Sequence, residues 1–160
     1  MLFKVLLVVV LAMEALGQNF SFLETRYRDA LEKSFELEGA ITFNDEQIVL
    51  EYFKPDEKVI VYFEGAVSLQ DSGGYQSIDF ETSPSIHYFF MLIEALHVKE
   101  KERLEAFFEW QDLGEEIHLV PREVVRDVIG GVKVLYKDEA LKSLHVTLEN
   151  GDWIRIEIIE

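Results

Sequence analysis

The chain has 160 residues, with 15 Lys and Arg against 31 Asp and Glu for a formal charge of −16, 49% hydrophobic residues and no cysteine. Large apolar and aromatic residues spread along the whole length exclude intrinsic disorder, and so negative a chain is a poor partner for nucleic acid or anionic lipid surfaces. Without cysteine there is no disulfide framework, thiolate zinc site, redox motif or cysteine lipidation.

Residues 1–17 place Lys4 ahead of an apolar stretch over 5–13 and end in Ala15-Leu16-Gly17. This is the pattern of a cleavable export signal, and the apolar stretch is shorter than the ~20 residues a spanning helix needs. Cleavage near Gly17 is expected to leave one domain, residues 18–160. Lys4 and Glu14 cancel, so that domain keeps the whole charge.

Within it, Leu23, Tyr27, Leu31 and Phe35 recur four apart among charged residues, which predicts an amphipathic helix over 20–35. Gly39 ends it. The stretches 41–43, 47–53, 58–63, 66–69 and 75–80 are rich in β-branched and aromatic residues and are separated by turn residues, so they read as consecutive antiparallel strands. Ser83-Pro84-Ser85 offers a capping hydroxyl and a first-turn proline for a helix over 85–98, and the charge run 99–102 ends it. Strands resume at 104–111, 116–120, 132–136, 141–149 and 153–158, with Asn150-Gly151 marking the last hairpin. The fold class expected is α+β and mostly β, with a single curved antiparallel sheet and helices against it. The strands over 47–53 and 59–63 carry apolar residues on both faces, so one face is covered by helices and partly borders an apolar cavity.

Little in the sequence speaks for catalysis. His87, His97, His118 and His145 lie in different elements without metal-ligand spacing, and neither a nucleophile elbow nor a phosphate-binding glycine loop is present. Acidic neighbours such as Glu115-Glu116 are plentiful enough to occur by chance. No catalytic residue, metal or cofactor is assigned, and the chain is expected not to be an enzyme. The apolar block 89–93 reads equally as a core helix or as a cover over a lipid pocket; periodicity leaves both open.

Several motifs, in order, resemble the periplasmic carriers of outer-membrane lipoproteins, the LolA-like family. They are Gly39-Ala40-Ile41, the aromatic strand Leu50-Glu51-Tyr52-Phe53 ending in Lys54-Pro55-Asp56-Glu57, the strand Val59-Ile60-Val61-Tyr62 leading to Gly65, and the helix from Pro84 through Phe90-Met91-Leu92-Ile93. Leu119-Val120-Pro121 and the closing hairpin around Asn150-Gly151-Asp152-Trp153 follow. The resemblance implies an incomplete β-barrel with helices closing its concave face over acyl chains. It implies a monomeric periplasmic chaperone that takes acylated lipoproteins from an inner-membrane release complex to an outer-membrane acceptor. A non-enzymatic interaction or sensor domain on the same scaffold is the alternative. In the family an arginine before the aromatic strand helps latch the lid; the corresponding residues here, Phe43-Asn44-Asp45-Glu46, hold none. The expected cavity lining is Ile48, Leu50, Tyr52, Val61 and Phe63 from the sheet and Phe89, Phe90 and Ile93 from the helix. Leu50→Glu is expected to abolish acyl binding and leave a folded domain.

Overall fold

The computed structural model describes residues 18–159; the expected export signal, 1–17, lies outside them. The chain opens with a long hairpin, β1 (Gln18–Arg28) and β2 (Lys33–Phe43), and continues through β3 (Gln47–Lys54), β4 (Lys58–Phe63), β5 (Ala66–Asp71) and β6 (Gly74–Ile78). Two helices follow, α1 (Pro84–His97) and α2 (Lys101–Glu105), and then β7 (Phe108–Asp112), β8 (Glu116–Pro121), β9 (Ile129–Lys137), β10 (Ala140–Leu148) and β11 (Trp153–Ile158). All eleven strands form one antiparallel sheet in the order β6-β5-β4-β3-β2-β1-β11-β10-β9-β8-β7. It is two meanders joined where β1 pairs with β11. The sheet is not closed: β6 and β7 are its edges, and the helical segment carries the chain from one edge to the other.

The helix expected over 20–35 is instead the β1–β2 hairpin, in register from Gln18 opposite Phe43 to Arg28 opposite Lys33. A spacing of four suits a helix of period 3.6, but it is also a multiple of the strand period of two, so it cannot choose between them. In the hairpin Phe22 and Glu24 face the core, while Leu31 at the tip and Phe35 are exposed. The tip is a short 3-10 turn, Asp29–Leu31, followed by Glu32 at φ 49°. Asp152 holds it from the other arm: its Oδ1 accepts the Asp29 N–H at 2.9 Å and its Oδ2 accepts Arg28 Nη1 at 3.0 Å.

Gly39 does not end a helix but sits inside β2, beside a bulge against β3. A Cβ there would lie 2.1 Å from the Glu51 carbonyl oxygen and 2.9 Å from Phe22 Cζ. Only glycine lets the strands and the Phe22 ring close over this point. Among the later elements, the expected strand 104–111 loses its first four residues: Leu104 and Glu105 end α2, Ala106 and Phe107 precede the strand, and the pairing residues begin at Phe108. α1 spans Pro84–His97 where 85–98 was expected, with the proline in its first turn, but Ser83 makes no side-chain capping bond. Gly151 adopts φ 93° in the β10–β11 turn, as the Asn150-Gly151 pair predicts.

One face of the sheet and α1 share a single core. Phe89, Phe90, Leu92, Ile93 and Leu96 of α1 pack in the same cluster as Phe22, Ile41, Leu50, Ile60, Val134, Leu144 and Ile156 of the sheet. Specific contacts pin the helix along its length. His87 Nε2 donates to the Ile78 carbonyl at 2.8 Å, Phe90 stacks on Tyr62 with centroids 5.3 Å apart, and the Tyr136 hydroxyl donates to the Leu96 carbonyl at 2.9 Å. At the helix end His97 stacks on Phe43, with centroids 3.7 Å apart and planes 8° from parallel.

Candidate functional site

Between the N-terminal half of α1 and the sheet lies a cavity of about 420 Å³, within the ~300–1,000 Å³ of small-molecule sites. Its apolar wall is Leu50, Ile60, Leu69, Ile78 and Ile154 from strands and Ile86, Phe89 and Phe90 from the helix. Period two explains the wall: Leu50 pairs with Ile60, and Ile60 with Leu69, so alternate residues of three neighbouring strands point one way.

The expected lining divides into four groups. Leu50, Tyr52, Phe89 and Phe90 line this cavity. Ile48 lines a more open one of about 820 Å³ at the other end of the helix, with Tyr62, Glu94, His97 and Arg103. Ile93 is fully buried in the core. Val61 and Phe63 are a correction: they pair with Val49 and Gln47, whereas Ile48 and Leu50 pair with Tyr62 and Ile60. The β3–β4 turn therefore puts Val61 and Phe63 on the face away from α1, where Phe63 is exposed, and a register error of one residue is enough to exchange the faces. Ile60 and Tyr62 take their place.

At the hairpin-tip end the cavity is polar. Glu24 is 1% exposed. One of its carboxylate oxygens accepts the Tyr52 hydroxyl and the other accepts Arg26 Nε; Arg26 Nη2 reaches the Tyr52 oxygen at 3.3 Å. Burial, and then the Glu24 charge, push the Tyr52 hydroxyl far above the usual tyrosine range, so it remains a donor. Lys58 Nζ lies 4.7 Å from the centre of the Tyr52 ring, and its pKa is pushed down by burial first and by Arg26 second. With both Glu24 oxygens engaged, the cluster is a fixed polar floor, with a charged pair that is buried because it is hydrogen-bonded. Arg28 and Asp152 complete the rim.

The residues of this floor escaped the sequence reading for a definite reason. On a helix Glu24 and Arg26 are ordinary surface charges, whereas on a strand they continue the row of Phe20 and Phe22, and a charge in an inward aromatic row signals a buried polar cluster. Among the described residues no group of three or more His, Asp or Glu side chains is arranged to hold a metal ion, and no helix is long and apolar enough to cross a membrane. Compared with known proteins, the chain matches no protein-family model and no curated protein sequence.

Proposed function

We propose that the chain is a periplasmic carrier that shelters acyl chains of lipoproteins in the cavity beneath α1 and passes them between membranes, as the resemblance to LolA-like carriers implies. In this reading the eleven-stranded sheet is a curved, incomplete barrel and α1 with α2 is its cover on the concave face. The observation that carries it is the cavity itself, with strand and helix side chains contributing a continuous apolar wall beside the shared core. Each acyl methylene taken out of water there contributes ~0.8 kcal/mol, enough for reversible binding by a short length of chain. The cover needs a hold that can be released. Where the family has its arginine, this chain brings the His97 ring onto Phe43, and we assign that stack the latching role.

Leu50 is not the position at which to test the cavity. It is 1% exposed between Ile41 and Ile60, so Leu50→Glu, expected from the sequence to leave a folded domain, would bury an unpaired charge and unfold the sheet. Leu69 is only partly buried and faces the cavity from β5. Leu69→Trp should fill the space, weakening binding of a fluorescent acyl probe by about tenfold or more while leaving the circular dichroism spectrum unchanged. Saturable binding of equal strength in both proteins, or none in the wild type, would contradict the proposal.

A further inference from the structure

The charge of the cavity runs against that of the molecule. Its charged lining is Arg26, Arg28 and Lys58 against Glu24 and Asp152, three bases to two acids, in a chain whose formal charge is −16. Arg26 is engaged by Glu24 and Arg28 by Asp152. Lys58 forms no ion pair among the described residues and rests over the Tyr52 ring. It is half-buried, with Arg26 as a second cation nearby, and the carboxylates of Glu24, Asp56 and Asp71 act on it only at a distance. An anion against its ammonium would offset both the burial and the repulsion. The apolar wall begins immediately beside it, because Lys58 starts the same inward row of β4 that continues through Ile60 and Tyr62. Residues of the first turn of α1 also line the cavity, and the helix N-terminus adds positive potential to it.

We propose that the cavity selects amphiphiles with an anionic head, a carboxylate or a phosphate, the head paired to Lys58 beside Arg26 and the chain lying against Leu50, Ile60 and Phe90. This rests on the cavity being an acyl site and adds the chemistry of the group at the chain's polar end. A chain alone would gain only the apolar wall; an anion alone would gain only the one ion pair. Together they match the two halves of the site.

The test is titration calorimetry of the purified protein with laurate, dodecyl phosphate, dodecanol and inorganic phosphate, each below its aggregation concentration. Laurate and dodecyl phosphate should bind about tenfold or more tightly than dodecanol. Lys58→Gln should bring the three within about twofold of one another by weakening only the two anions, and Lys58→Arg should keep the preference. Equal affinity of charged and neutral chains in the wild type would overturn the head-group assignment and leave the acyl site standing, as would a preference that survives both Lys58→Gln and Lys58→Glu. Inorganic phosphate binding as tightly as dodecyl phosphate would mean a free-anion site and overturn it too. Failure of every chain-bearing probe to bind would remove the acyl site and the head-group assignment together.

Discussion

Single residues carry much of the specification of this sheet. Glu24 and Tyr52 stand in the middle of the apolar face and are tolerated because each polar atom has a partner. Tyr52→Phe would keep the ring on Phe22 but leave one Glu24 oxygen buried without a donor, at a cost of about 1–3 kcal/mol, measured as a lower midpoint of urea unfolding with an unchanged slope. Gly39 is constrained more tightly. Gly39→Ala must push the β2 and β3 backbones apart, since the Glu51 carbonyl is backbone and cannot swing away. Gly131→Ala meets no atom within 4 Å. The first substitution should cost several kcal/mol and the second well under 1 kcal/mol; equal effects in chemical unfolding would contradict the close approach. Neither residue's role could be read from the sequence. An inward acid and a mid-strand glycine are recognisable only after the strand and its register are known.

At the scale of elements, the strands after Gly39 were legible because β-branched and aromatic runs alternate with Asn-Asp, Pro-Asp, Glu-Gly and Gly-Gly turns, and Pro84 announced α1. Two things were not legible. The first hairpin was hidden by a spacing common to helix and strand, and the inward face of β4 depended on a turn geometry that residue types do not fix. Both failures moved the site, since one concealed Glu24 and Arg26 and the other exchanged Ile60 and Tyr62 for Val61 and Phe63. The stack that pins the end of α1 is sensitive to pH. Burial lowers the His97 pKa below the ordinary 6.5, so the unfolded chain binds the proton more readily than the folded one. The stabilisation is complete above about pH 6.5 and falls as pH drops through that value toward the folded pKa. His145 adds to the same trend, lowered by burial and then by Arg155 and Lys133. Unfolding midpoints should therefore fall between pH 8 and pH 5.5, and His97→Phe, which keeps a ring on Phe43 and removes the titration, should reduce that fall. An unchanged pH dependence in the variant would assign the effect elsewhere.

For the whole molecule, the figures of −16 and 49% hydrophobic residues resolve into an acidic exterior, a core shared by sheet and helix, and a cavity of opposite local charge. For the proposed carrier, an exterior of this sign predicts partners that present basic surfaces. Complexes with such partners should weaken as salt is raised from 0.05 to 0.5 M, over which range the screening length falls from roughly 14 Å to roughly 4 Å; binding insensitive to salt would place the contact on apolar surface instead. The proposed likeness to lipoprotein carriers is carried by motifs from Gly39 to the last hairpin, and β1 lies ahead of all of them. The proposed carrier role therefore rests on the chain from Gly39 onward and not on the start of the domain. The most direct measurement is native mass spectrometry of the protein recovered from the periplasm of a Gram-negative host. Mass adducts of acylated lipid or lipoprotein, present on the wild type and absent from Leu69→Trp, are the predicted result; an unliganded mass for both, with both proteins folded, would contradict the carrier and leave a binding domain with a merely imperfectly filled core.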